Sequence, residues 1–299
     1  GPHVQSLDFL SNFPDLAALY LYSVGPVESF SSISDLPHLT RLDVVDSGLT
    51  DLTPLANLNK LEWLNLDKNG IASLQPLRNL TNLKRLNLRD NTVSDVSPIV
   101  NLPFLYDLFL ERNRLTSIDG INNLTQLTYL NISENQVKEL PNLEGLDRLS
   151  YFRFENNEVE DLNPLKDLLG ATHIFASGNG ADGIPNLDQL TELNTLLLDR
   201  NSISDLSPLN HLPNVIFVTL SNNQVSDLSP ISNLKNIVSI DLSNNQIENL
   251  FPLTEGEFEV SDFRLEGNPL SERAQCEDIP TLEERGIRVY FDQTASCPE

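Results

Sequence analysis

The chain has 299 residues, and 19 Lys and Arg stand against 43 Asp and Glu, for a formal net charge of -24. That excess of acid argues against nucleic acid, whose binding rests on Lys and Arg displacing phosphate counterions, and against an anionic membrane surface. With 39 % hydrophobic residues, 18 Pro, 13 Gly and 2 Cys, the chain is neither disordered nor a disulfide-dense scaffold, and no apolar run nears the ~18 residues of a membrane-spanning helix.

The elements follow one another in a fixed period. Leu7-Asp8-Phe9-Leu10-Ser11-Asn12-Phe13 comes first and aligns with Leu52-Thr53-Pro54-Leu55-Ala56-Asn57-Leu58, which follows a strand. The chain therefore starts inside a coil, and residues 1–15 read as a truncated first coil. Gly1-Pro2 reads as a protease-cleavage scar and there is no Met, so the chain is expected to be a fragment of a protein that extends upstream. Strands of the form Leu-x-x-Leu-x-Leu come next. The first is Leu16, Leu19, Leu21, the second Leu39, Leu42, Val44, the third Leu61, Leu64, Leu66, and the twelfth Val260, Phe263, Leu265. After the strands Asn recurs at 69, 91, 113, 135, 157, 179, 201, 223 and 245, always 22 apart. Ser47 holds the place one step earlier and Asn268 the place one step of 23 later. Residues 16–268 are thus one repeat array.

Chemistry accounts for the residue types. Alternate apolar residues of each strand point inward. The sharp turn that follows leaves buried N–H and C=O groups, which need partners. An Asn side chain supplies both a donor and an acceptor, so Asn69, Asn91, Asn113, Asn135, Asn157, Asn179, Asn201, Asn223 and Asn245 form a ladder, one per coil. Stretches such as Asp51-Leu52-Thr53-Pro54-Leu55 and Asp205-Leu206-Ser207-Pro208-Leu209 return the chain. Pro suits the first turn of a short helix because it has no N–H to lose there, and a return this short has room for a 3₁₀ turn.

Residues 269–299 read as a C-terminal cap. Glu277 to Arg285 is expected to be a short helix ended by Gly286, and Ile287–Phe291 a last strand over the open edge. Cys276 and Cys297 flank this unit. A disulfide between them would close a loop of about 22 residues, worth ~3 kcal/mol on a loop-entropy basis, and would place the protein in an oxidising compartment; two free thiols near a frayed tail are the other reading.

The phrases Leu-Asp-Arg-Asn-Ser-Ile-Ser-Asp-Leu-Ser-Pro-Leu (198–209) and Leu-Ser-Asn-Asn-Gln-Val-Ser-Asp-Leu-Ser-Pro-Ile (220–231) resemble the leucine-rich repeats, in the 22-residue class of bacterial internalins and of a eukaryotic phosphatase-regulator family. The resemblance implies an α/β fold: a right-handed curved solenoid of about twelve coils, with a parallel β-sheet on the concave face and short 3₁₀ turns on the convex face. Members of the family mostly bind proteins.

No catalytic constellation is visible. His3, His38, His173 and His211 are scattered, and neither a metalloprotease nor a nucleophile-elbow nor a phosphate-loop motif occurs. No catalytic residue, cofactor or metal is expected. Asp67, Glu111, Glu155 and Asp199 share the seventh strand position on every second coil, but at ~9–10 Å apart they cannot share one calcium ion and read as a solvated acidic face.

The third, fifth and seventh residues of each strand point away from the core. Eight of the 20 aromatics fall there, where even placement would put about two or three. Trp63, Phe109, Tyr129, Tyr151, Phe175 and Phe217, with Arg153, His173 and Leu197, are the candidate binding residues of the expected concave face, because exposed Trp and Tyr supply contact area at low entropy cost. Sheet support by cross-strand aromatic pairs, or self-association, reads the same residues otherwise. The coil Gly170–Gly180 has Ala171 and Ala176 at Leu positions; it reads as a degenerate repeat or a local dent. The functional expectation is a non-enzymatic ligand-recognition region of a secreted or surface-displayed bacterial protein, extracellular or at the cell surface, with a protein partner that has a basic surface. An intracellular regulatory scaffold and an adhesive spacer are the alternatives, with a periplasmic or cytoplasmic location.

Overall fold

The computed structural model describes residues 6–25, 27, 29–212, 214–232, 237–256 and 260–297; Gly1-Pro2 and His3 lie outside them. The chain divides into two units, Gly1–Arg153 and Phe154–Glu299. In the first, seven strands run parallel in chain order: β1 (Ala18–Tyr22), β2 (Arg41–Val45), β3 (Trp63–Asn65), β4 (Arg85–Asn87), β5 (Asp107–Phe109), β6 (Tyr129–Asn131) and β7 (Tyr151–Arg153). In the second, six do the same: β8 (His173–Phe175), β9 (Thr195–Leu197), β10 (Phe217–Thr219), β11 (Ser239–Asp241), β12 (Asp262–Arg264) and β13 (Arg288–Tyr290).

The period of the sequence is the register of the sheet. Leu42, Leu64, Leu86, Leu108, Leu130 and Phe152 are paired neighbour to neighbour in the first unit, and Ile174, Leu196, Val218, Ile240, Phe263 and Val289 in the second. All twelve are buried. A one-residue slip would turn every one of them outward, and each buried Leu is worth about 1.5–3 kcal/mol. Stacking like on like therefore fixes the register far more strongly than strands of three residues could do through backbone bonds alone.

The asparagine ladder ties each coil to the one before it. Asn113 donates from Nδ2 to Leu88 O of the preceding coil (2.8 Å) and to Leu110 O of its own (3.0 Å), while its Oδ1 accepts from Val93 N (2.9 Å). Asn91 and Asn135 repeat the pattern in the first unit, and Asn201, Asn223 and Asn245 in the second. Ser47 makes looser contacts to the preceding coil: its Oγ donates to Val45 O of its own (2.8 Å) and lies 3.4 Å from Leu21 O and from Val24 N, which donates to it.

The residue before each ladder position is left-handed, because the chain must leave the strand abruptly. Lys68, Asp90, Arg112, Glu134, Asn156 and Arg200 all sit at φ between 51° and 56°, at a cost of about 1 kcal/mol each for a non-glycine residue. Gly178 occupies the same place at φ 70°. There, as at Gly267 (φ 74°), the glycine adopts this backbone without the strain of a side chain.

Returns begin with an Asp, Asn or Ser that caps the turn: Asp51 Oδ1 accepts from Thr53 N (2.9 Å), Asp205 Oδ1 from Ser207 N (2.8 Å), Asn142 Oδ1 from Glu144 N (2.8 Å) and Ser117 Oγ from Asp119 N (3.0 Å). Short 3₁₀ turns follow, such as Thr53–Leu55 and Ser207–His211, with Pro in the first turn. At the end of the second unit a helical segment runs through a π turn, Ala274–Asp278, into α1 (Ile279–Glu284), starting earlier than the sequence suggests. Gly286, at φ 84°, ends it. β13 then pairs with β12, and Cys276 and Cys297 are bonded, with Cα atoms 5.3 Å apart.

Candidate functional site

With the apolar positions of the strands committed to the core, the outward row is free of packing duty. In the first unit that row is a continuous strip of planar side chains. Trp63 on β3 lies between Arg41 on β2 and Arg85 on β4, each guanidinium carbon 4.4 Å from its ring centroid. Arg85 also covers Phe109 on β5 at 4.8 Å. Phe109 packs on Tyr129 of β6 with centroids 4.8 Å apart, and Tyr129 on Tyr151 of β7 at 6.1 Å. Arg153 stands on the same face, two residues beyond Tyr151. Trp63, Phe109, Tyr129 and Arg153 are half-buried and Tyr151 is 39 % exposed. Burial pushes the Tyr129 phenol above its ordinary pKa, and the nearby Arg153 offsets part of that.

The arginines are themselves held. Arg41 reaches the buried Asp43 at 3.2 Å, and Arg85 lies 3.4 Å from Asp107. A reading that weighs only aromatics passes over Arg41 and Arg85; the signal was there, since both occupy the third strand position beside Trp63.

In the second unit His173 and Phe175 share β8, their rings 6.2 Å apart and nearly parallel. Burial lowers the His173 pKa, which favours the neutral imidazole. Phe175 pairs in register with Leu197 of β9. Phe217 of β10 pairs with Thr195, two residues from Leu197, and is 47 % exposed. A groove of about 350 Å³ beside the coil of Ala171 and Ala176 is lined by Glu160, Asp161, Asn163, Asp182 and Ile184. These residues are on returns, so the dent lies away from the strand face.

The row of carboxylates divides by environment. Asp199 is saturated: Thr219 Oγ1, Ser221 N (2.9 Å), Ser221 Oγ (2.9 Å) and Ser177 Oγ (3.3 Å) all donate to it. Asp67 and Glu111 each keep one buried oxygen without a donor, and burial raises the pKa of both. Among the described residues no three His, Cys, Asp or Glu are placed to hold a metal ion, and no helix is long and apolar enough to cross a membrane.

The family description for leucine-rich repeats in two copies matches residues 59–101, 81–123, 103–145, 125–167 and 213–255, together just over half of the chain. The chain belongs to the leucine-rich repeat family. Among solved structures, this leucine-rich-repeat chain is similar to an internalin (InlF) from Listeria monocytogenes, at 28 % identity and a TM-score of 0.83 over 93 % of this chain and 82 % of that one. It shares the fold of a Leptospira interrogans leucine-rich-repeat protein, at 21 % identity and 0.61 over 96 % and 93 %, and of the functional domain of InlJ from Listeria monocytogenes, at 24 % and 0.70 over 87 % and 55 %. No curated protein matches it in sequence. The repeats are internalin-like, and likeness to an internalin supports a protein-binding module.

Proposed function

We propose that the chain is the non-enzymatic ligand-recognition region of a secreted or surface-displayed bacterial protein, which binds a protein partner through the outward face of its strands. The observation that carries this reading is the strip of planar groups from Trp63 to Tyr151. Cross-strand aromatic pairs stabilise a sheet by only about 0.2–1 kcal/mol each, whereas partly exposed Trp, Tyr and Arg are the residue types that dominate binding energy at protein interfaces. In the second unit the outward row holds His173, Phe175, Leu197 and Phe217. The net charge of -24 favours a basic partner and an association rate that falls with salt. The Cys276–Cys297 bond supports an oxidising compartment over a cytosolic scaffold.

Immobilised in parallel, the unmodified chain retains a basic protein from its surroundings that the triple variant Tyr129→Ser, Tyr151→Ser, Phe175→Ser does not retain, while both keep the same circular dichroism. Equal retention by the two would overturn the assignment of the face. Thiol labelling of natively produced protein tests the compartment: blocked cysteines agree with the reading, and two free thiols favour an intracellular scaffold.

A further inference from the structure

Trp63 is the chain's sole tryptophan, and both of its ring faces are taken. Arg41 and Arg85 approach from the two strands that flank β3, in register with it. The charges of both arginines are spent inside the face, on Asp43 and Asp107. The indole therefore cannot lie flat and cannot stack on a ligand. What it offers a partner is its edge and its N–H, which makes no hydrogen bond among the described residues. At the seventh and eighth strand positions of the coils of β3 to β6, Asp67, Asp90, Glu111 and Glu134 outnumber Lys68, Arg89 and Arg112. Arg89 is held at 3.1 Å by Asp90 and Arg112 at 3.0 Å by Glu134, so the flank keeps a negative balance.

We propose that Trp63 is the anchor of the binding face, held edge-outward by Arg41 and Arg85 as positioning residues, for a basic protein segment that sets a carbonyl oxygen on the indole N–H and directs Lys or Arg toward the acidic flank. The proposal rests on the protein-binding reading above and names the chemistry of its partner. A side chain ordered before binding loses less freedom on binding, which is worth about two- to tenfold in affinity. The two ideas at stake differ in sign. If charge alone governed a basic partner, removing Arg85 would tighten binding. If Arg85 holds the anchor, removing it weakens binding.

The experiment has two arms, both on the full chain. Without any partner, polarised emission decay and acrylamide quenching read the order of Trp63 directly, since no other tryptophan contributes. Arg85→Ala is expected to speed the local depolarisation and raise quenching about twofold; Arg85→Gln, whose planar amide can still stack, stays close to the unmodified chain. In the second arm a displayed library of random twelve-residue peptides is selected on the unmodified chain. The enriched peptides are expected to carry net positive charge and to bind about tenfold more weakly to Trp63→Ala and two- to tenfold more weakly to Arg85→Ala, with Arg85→Gln largely restoring affinity. Equal or tighter binding to Arg85→Ala, or an enriched pool without positive charge, overturns the proposal. If Trp63→Ala still weakens binding in that case, the face stands and only the clamp fails. If neither Trp63→Ala nor Tyr151→Ser matters, the protein-binding reading of the face fails with it.

Discussion

At the scale of single residues, the ladder asparagines carry more stability than their number suggests, because each serves two coils. Replacing Asn113 by Ala strands Val93 N inside the stack and takes one of two donors from Leu88 O and from Leu110 O, which keep Asn91 and Asn135. A buried group left without a partner costs about 1–3 kcal/mol, so the variant is expected to lose ~2 kcal/mol. Urea denaturation followed by circular dichroism measures it; a loss below about 1 kcal/mol would mean that the backbone reorganises around the gap. The left-handed residues make a gentler prediction. Arg112, at φ 55°, replaced by Val should cost about 1–2 kcal/mol, since a β-branched side chain tolerates that backbone least. The ladder was legible in the sequence because one residue type at one spacing has one physical explanation. The left-handed residue before it was not, since Lys, Asp, Arg, Glu and Asn share that place and advertise nothing.

At the scale of elements, the C-terminal cap is held by more than its sulfurs. Gln275 is buried, and its side chain donates to Leu270 O (2.9 Å) and Thr294 Oγ1 (2.8 Å) and accepts from Thr294 N (2.8 Å) and Ala295 N (2.9 Å). It pins the tail just before Cys297. Arg285 spans back to Leu253 O, Thr254 O and Gly256 O, tying the cap to the last return. Loss of the disulfide in Cys276→Ser, Cys297→Ser is expected to cost about 3 kcal/mol, and Gln275→Ala a further ~2 kcal/mol, through amide groups left unpaired. Thermal unfolding of the single-site and combined variants tests this. A silent Gln275→Ala in the oxidised protein would show that the disulfide alone docks the tail. The cap's helix and strand could be read from Gly286 and the apolar residues after it. The pin could not, because a glutamine 19 residues from its partner leaves no pattern. The same limit applies to the strand face: the aromatic excess at outward positions is a sequence statistic, whereas the alternation of guanidinium and ring depends on which residues the register sets side by side. That register makes neighbours of Arg41, Trp63 and Arg85.

At the scale of the whole molecule, acidity governs how stability responds to its surroundings. Burial raises the pKa of Asp67, Asp107 and Glu111. A carboxyl whose pKa is higher in the folded than in the unfolded chain binds its proton more tightly when folded, so its contribution is full below the unfolded pKa and is lost as pH rises through the folded one. Asp51 and Asp205 run the other way. Hydrogen bonds from Thr53 and Ser207 hold them low, so they favour the fold above the unfolded value and cease to do so as pH falls through the folded one, but both lie on the surface and count for little. Relief of repulsion within a chain of net charge -24 adds to the first group. The melting temperature is therefore expected to rise as pH falls from 7 toward the ordinary carboxylate range of about 4, and to turn down only below it. Glu111→Gln should raise the melting temperature at pH 7 and shrink the gain on acidification, because it removes one of the buried charges responsible. Added salt at pH 7 should imitate part of the effect by screening the excess negative charge. Calorimetric melts across pH 4–7 at low and moderate salt check all three. A melting temperature that falls steadily from pH 7 downward, or a Glu111→Gln variant less stable than the parent at pH 7, would mean that Glu111 is compensated more fully than its contact with Arg89 at 3.8 Å suggests.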